Sequence, residues 1–296
     1  MLSFEPFLTY LRDERNYPEA TTIVSYRRSL TELSDFLETY VEPGLTAGDV
    51  TSDMVRDWIV SLMDRGLKAT TVNRMLSATR TYFKFLLRKG EIKSDPLVKV
   101  KGPKKKKPLP SFLKESEARS LIEEVDYGDD FEGCRNRTVV TMFYATGMRL
   151  SELVGLDDGD VDFSNKTIRV TGKRNKQRLI PFCRELEDVL RTYVERRNRE
   201  VPCCTDAFFV KMDGERMTDN MVKYWVRKSI SQVTTAQHRG PHVLRHSCAT
   251  AMMNHGADLK AVKELLGHES LATTEIYTHT TFEELKKAYN QAHPRA

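Results

Sequence analysis

Between His242 and Tyr277 the chain carries His242-Val-Leu-Arg245-His246, then Gly267-His268, and finally the tyrosine itself. Two further cations, Arg149 and Lys173, stand far upstream and can join this group only through folding. These side-chain types match what a reaction at a phosphodiester requires. Forked cations hold the nonbridging oxygens, an acid supplies a proton to the departing oxygen, and a hydroxyl attacks phosphorus.

Taken singly, each residue has a plainer reading. His242 and Arg245 lie three apart and share one face of a helix, with Pro241 suited to its first turn. His246 lies four after His242, which is also a metal-binding spacing. However, Val-Leu-Arg between them offers no carboxylate, and Arg245 would repel a dication, so phosphate chemistry is the better reading. His246 then becomes a packing or support residue, and His279 a surface or supporting one. Tyr277 is a poor nucleophile at its ordinary pKa of about 10, and neighbouring cations would favour its phenolate. Glu152 follows Arg149 by three residues, close enough to orient it or a histidine, or simply to form a surface ion pair. Lys173 stands among Arg174, Lys176 and Arg178, and only its place beside Gly172 in a turn singles it out.

The elements that must position these groups are mostly helical. Phe4, Phe7, Leu8 and Leu11 form one apolar stripe. Ile23, Tyr26, Leu30, Leu33, Phe36 and Leu37 form a second, which Thr21 or Thr22 could cap. Helices are expected over 51–65, from Thr51 or Ser52, and over 69–89, with Gly66 and Gly90 as stops. Between about 91 and 110 Pro96, Pro103, Pro108 and Pro110 deny helix continuity, and glycine and lysine favour an exposed connector. The expected division is a domain over 1–104, a linker over 105–112 and a second domain over 113–296.

In the second part, helices are expected near 114–126, 133–145, 150–156, 184–199, 218–232, 241–255 and 258–266, with a turn over 271–277. Thr167–Val170 and Gln177–Ile180 read as strands of a hairpin whose turn, with Gly172 and Asn175, presents Lys173. After Thr280-Thr281, Phe282, Leu285, Ala288 and Tyr289 recur at helical spacing. This tail could fold onto its own core or dock into a neighbouring copy.

Composition narrows the class. The 296 residues are 40% hydrophobic and 30% charged, as in a soluble globular protein, and contain no apolar run long enough to span a membrane. Met1-Leu-Ser-Phe-Glu-Pro has neither a basic n-region nor an apolar h-region, so nothing in it suggests export. The five cysteines are irregularly placed and read as reduced structural thiols, Cys248 by packing inside a helix. Net charge is only +5, but residues 51–110 carry 15 basic against 5 acidic side chains, while 1–50 carry 4 against 9. Such a band can attract a polyanion, although Lys104-Lys105-Lys106-Lys107 alone fits a solvated linker as well.

Five segments together carry a resemblance. Thr146-Gly-Met-Arg-Leu-Ser-Glu-Leu, Gly172-Lys-Arg-Asn-Lys-Gln-Arg, His242-Val-Leu-Arg-His-Ser-Cys-Ala-Thr, Leu265-Leu-Gly-His-Glu-Ser and Thr273-Thr-Glu-Ile-Tyr-Thr-His resemble, in order and spacing, the signature segments of tyrosine recombinases. The likeness covers nearly the whole chain and is nearest to the bacterial XerC/XerD branch. It implies a mainly α fold: an N-terminal four-helix SAM-like core-binding domain and a mostly helical catalytic domain with a small β-hairpin or sheet.

The resemblance also implies roles. Tyr277 would be the nucleophile and Arg149 with Arg245 the phosphate clamp. Lys173 would protonate the leaving 5′ oxygen, His242 would assist proton transfer and phosphate stabilisation, His268 would hydrogen-bond the transition state, and Glu152 would support the first arginine. Arg174 stands where many relatives have a second glycine after the lysine. No metal or other cofactor is implied. The implied partners are duplex DNA with paired half-sites, further copies or a second recombinase in a tetramer on two sites, and an FtsK-like DNA translocase. A cytoplasmic role in chromosome-dimer resolution would follow. Mobile-element integration, a related topoisomerase, a noncatalytic DNA-binding protein and a metal nuclease are the rival readings.

Overall fold

The computed structural model of the chain describes residues 2–15, 17, 22–104, 112–172, 176–202, 204–236, 239–267, 285, 289, 291 and 292. The chain divides into two compact units, Met1–Pro108 and Leu109–Ala296.

The first unit is helical: α1 (Glu5–Asp13), α2 (Val24–Tyr40), α3 (Ser52–Asp64) and α4 (Ala69–Lys89). Their apolar stripes meet in a core that includes Phe7, Leu30, Trp58, Leu76, Tyr82 and Phe83. The Thr51 hydroxyl caps α3 by accepting from the Met54 N–H at 3.3 Å. Among the described residues no hydroxyl does this for α2. Its N-cap position is Ile23, which already has helical dihedrals, so the extended geometry that lets a threonine reach back is missing. Thr21, the alternative cap, lies outside the described residues.

Residues 91–104 are not an exposed connector. Ile92, Leu97 and Val100 are buried in the first unit's core. Their loop is fastened by side chains that donate to its carbonyls: Ser52 to Pro96 at 2.6 Å, Arg80 to Val100 at 2.7 Å and Asn73 to Pro103 at 2.8 Å. Prolines stop a helix there, but they leave carbonyls that α3 and α4 can satisfy.

The second unit is mostly helical around a small sheet. Its helices are α5 (Glu115–Glu123), α6 (Phe131–Thr146), α7 (Leu150–Val154), α8 (Arg184–Glu200), α9 (Asp219–Val233), α10 (Pro241–Asn254) and α11 (Leu259–Leu266). Strands β1 (Val161–Asp162), β2 (Thr167–Thr171) and β3 (Gln177–Pro181) form an antiparallel sheet in that order. The hairpin pairs Ile168 with Ile180 and Val170 with Arg178. Central α6 is buried on nearly every side, even at Arg135, whose guanidinium donates to Glu132, Asn136 and the Val210 carbonyl. Among the described residues no helix is long and apolar enough to cross a membrane.

The described part of the tail lies in this unit's own core. Leu285 and Tyr289 are buried there, and the Tyr289 hydroxyl donates to the Ala145 carbonyl at 3.1 Å. Phe282 and Ala288 lie outside the described residues. Removing a fully buried aromatic ring leaves a cavity, so Tyr289→Ala is expected to lower the second unit's stability by about 3–5 kcal/mol. Denaturant unfolding of the full chain measures this, and a change below about 1 kcal/mol contradicts the packing.

Candidate active site

Two helix ends build the site. An α-helix leaves its last carbonyls without intrahelical partners and places partial negative charge there. At the end of α11 three successive carbonyls are each taken by a different arginine. Leu265 accepts from Arg178 Nε at 2.9 Å, Leu266 from Arg245 Nη2 at 2.6 Å, and Gly267 from Arg149 Nη2 at 2.6 Å. Arg245 Nη1 also donates to the carbonyl of Gly147, the residue that ends α6.

Both helices stop in the left-handed conformation, with φ +60° at Gly147 and +63° at Gly267. A Cβ at Gly147 would come within 2.6 Å of Leu266 Cδ2, and one at Gly267 within 3.1 Å of Arg178 Nη1. Glycine is therefore required twice over, by conformation and by the closeness of the two ends.

One carboxylate binds the arginines together. Glu152 Oε1 accepts from Arg149 Nη1 and Arg178 Nη1, both at 2.7 Å. Its Oε2 accepts from the Arg149 backbone N–H at 2.7 Å and from Arg178 Nη2 at 2.9 Å. Glu152 is buried rather than half of a surface ion pair, since Arg149 lifts it into the first turn of α7 and Arg178 covers it from β3. Burial works against its charge, but the hydrogen bonds and charge of Arg178, then of Arg149, outweigh that, and its pKa falls from 4.5 to about 2. Arg245 responds in the opposite sense to its surroundings. Burial, then the charge of Arg149, lowers its pKa to about 10, which leaves it a cation at neutral pH but an electrostatically strained one.

Folding thus brings Arg149, Arg245 and Glu152 together across long stretches of sequence. His242 is exposed in the first turn of α10, three residues before Arg245. His246 is also exposed and meets the Phe112 ring edge-on at 6.4 Å, so it does not pack in the core. Cys248 is fully buried in α10, and burial pushes its thiol up to about 12. Lys173, His268, Tyr277 and His279 lie outside the described residues. The hairpin that carries Lys173 is rooted at the site: the Gly172 N–H donates to the Lys176 carbonyl at 2.7 Å, and a Cβ on Gly172 would lie 3.5 Å from Glu152 Oε1. Among the described residues no group of three or more His, Cys, Asp or Glu is placed to hold a metal.

Sequence reasoning missed Arg178, which merged with its basic neighbours. The signal was the strand's phase. In Gln177-Arg-Leu-Ile-Pro, buried Ile180 puts Arg178 on the inner face and Leu179 on the outer one. An arginine on the buried face needs an acidic partner.

Three guanidinium groups, one carboxylate and a bowl of helix ends define an oxyanion-binding site. The chain belongs to the phage integrase family: residues 111–284 match that family and residues 4–90 match its N-terminal SAM-like domain. It is a tyrosine recombinase, an enzyme class that transfers DNA strands, and it closely matches the XerC branch. The tyrosine recombinase XerC of Chlorobaculum tepidum is 37% identical over 319 residues, covering 98% of this chain and 94% of that protein. XerC of Pelotomaculum thermopropionicum is 37% identical over 299 residues, covering 98% and 97%. Among solved structures, XerH recombinase in a post-cleavage complex with palindromic difH matches with a TM-score of 0.70 at 25% identity, covering 90% of this chain and 78% of that one. The Tn1549 transposon integrase, solved with circular-intermediate DNA, shares the fold, with a TM-score of 0.73 at 20% identity over 96% and 99% of the two chains.

The buried carboxylate makes acid stability a test. Because the folded pKa of Glu152 is depressed, its contribution is fully present above 4.5 and is lost as pH falls toward about 2. In Glu152→Gln that part of the stability profile should flatten, while stability near neutrality drops by about 3 kcal/mol as Arg178 loses its counter-charge. Thermal unfolding of both proteins between those pH limits checks it, and parallel profiles contradict it.

Proposed function

We propose that this chain is a site-specific recombinase that cuts and rejoins duplex DNA through a 3′-phosphotyrosyl intermediate and resolves chromosome dimers at cell division. The observation that carries the chemistry is the charge of the cluster. Arg149, Arg178 and Arg245 hold three positive charges against the single negative charge of Glu152. Two remain uncompensated. A phosphodiester attacked by a phenolate carries two negative charges through the pentavalent geometry, and a cationic surplus held in place before the reaction stabilises it.

In this reading Arg149 and Arg245 present fork-shaped donors to the nonbridging oxygens, which a lysine's point charge matches less well. Tyr277 oxygen forms a bond to phosphorus as the bond to the 5′ oxygen breaks, and Lys173 gives that oxygen its proton. His242 takes up the Tyr277 proton as the phosphotyrosyl bond forms and returns it when the tyrosine is freed, while His268 donates to a phosphoryl oxygen. A 5′ hydroxyl from the partner duplex then attacks the phosphotyrosine, restores the phosphodiester and frees the tyrosine. Each step exchanges one phosphoester bond for another, so phosphorus keeps two ester bonds throughout and the scheme consumes no nucleotide. Removing either clamp arginine is expected to slow cleavage about 100- to 1000-fold.

The first unit, basic along α4 at Arg74, Arg80, Lys84, Arg88 and Lys89, would hold the duplex mainly through its phosphates. Relatives at 35–37% identity along nearly the entire chain support the Xer role. With it come a cytoplasmic site of action, a tetramer of this chain or of two recombinases on paired half-sites, and an FtsK-like translocase as activator.

Tyr277→Phe should abolish the covalent protein–DNA adduct on a denaturing gel and retain specific binding; an adduct that persists removes Tyr277 as the nucleophile. Sequencing DNA trapped on the wild-type protein in cells tests the biological role. A single chromosomal locus is expected, whereas junctions at the ends of a mobile element overturn dimer resolution.

A further inference from the structure

We infer that Arg178 is a positioning residue for strand cleavage: it ties the hairpin, Glu152 and the end of α11 into one unit and so sets the orientation of Arg149 toward the scissile phosphate. This inference rests on the proposed function above.

Arg178 sits where three segments meet. It belongs to β3, the return strand of the hairpin whose turn holds Lys173. Its Nη1 and Nη2 donate to the two oxygens of Glu152, at 2.7 and 2.9 Å, in a bidentate fork. Its Nε donates to the Leu265 carbonyl at 2.9 Å, two residues before the Gly267 carbonyl that holds Arg149. The side chain is almost fully buried, so its charge answers Glu152 rather than solvent. A Cβ at position 267 would lie 3.1 Å from Arg178 Nη1, so the residue that ends α11 is packed directly against this guanidinium.

Arg149 depends on the two groups that Arg178 holds. Glu152 takes both the Arg149 backbone N–H and Nη1, and Gly267 takes Nη2. Loss of Arg178 removes two of the donors that fix the Glu152 carboxylate and one of the three at the end of α11, so both anchors of Arg149 loosen together. Arg178 does not itself face the phosphate, because its three kinds of nitrogen are all engaged by protein groups. A lysine at this position keeps the charge but cannot span both carboxylate oxygens and the carbonyl.

The test separates positioning from mere structural support. Full-length protein and Arg178→Lys are compared on a nicked suicide duplex built from the trapped junction, in two versions. One carries the ordinary scissile phosphate and the other a neutral methylphosphonate, which needs no cation pair to balance a second charge. Arg178→Lys should bind DNA within about twofold of wild type but cleave the phosphate about 10- to 100-fold more slowly. On the methylphosphonate the gap should shrink to within about threefold.

An equal deficit on both substrates means a general structural defect and overturns the inference, as does wild-type cleavage of the phosphate. Arg178→Gln, which keeps a donor without charge, is read by the same ratio should the lysine variant fail to fold. Failure of both to fold makes Arg178 a core residue alone and overturns the inference. If the wild-type protein forms no phosphotyrosyl adduct, the proposed function itself falls. An adduct from wild type with no selective loss in the variants removes only the role of Arg178.

Discussion

The arginine cluster is arranged around the last carbonyls of α11. Their directions are fixed by the helix, and α11 is fixed by the burial of Val262, Leu265 and Leu266. Each arginine that meets them is aimed by geometry rather than by charge alone. Arg149 and Arg245 each spend two of their N–H groups on protein acceptors, which removes rotational freedom from a planar group and points the remaining donors one way. Burial and then the neighbouring charge of Arg149 lower the pKa of Arg245, and Glu152 together with the negative helix end offsets part of that cost. What is left is a strained cationic pocket whose reorganisation was completed when the chain folded, which is the condition for strong electrostatic stabilisation of a transition state.

A second set of contacts converges on the final turn of α6. The Ala145 carbonyl receives the Tyr289 hydroxyl, Cys248 packs with its sulfur 3.9 Å from the same oxygen, and two residues later the Gly147 carbonyl holds Arg245. The Tyr289 ring and Arg245 therefore rest on neighbouring carbonyls of the same helix end. This explains why α6 carries no polar stripe: neighbours cover it from almost every direction, and its polar residues answer particular partners.

Much of the fold was readable from periodicity. Helix α4 runs over 69–89, as its apolar spacing and Gly90 indicate, and both hairpin strands lie within a residue of expectation. Other features had no pattern to read. The two-residue strand β1 is too short to show alternation, and Ile92, Leu97 and Val100 fall among prolines, where no period survives. In the site, spacing placed Glu152 beside Arg149 but could not tell a buried carboxylate from an exposed one. That depends on Arg178, supplied by a different element. Its inward phase was visible in the strand, yet it carried weight only once the sheet showed which face was covered. Lys173, His268 and Tyr277 lie outside the described residues, and their assignment rests on the order and spacing of motifs.

The anchoring bonds join residues separated by 118, 98 and 87 positions along the chain. Loops of that length close only late, after the intervening segments have found their places. During translation the arginine at 149 emerges long before the carbonyl that steadies it, and until α11 arrives the cations have no common geometry. A polypeptide that ends before α11 thus lacks two of the anchors that steady its arginines, and the cluster takes its final geometry only once that helix has been made.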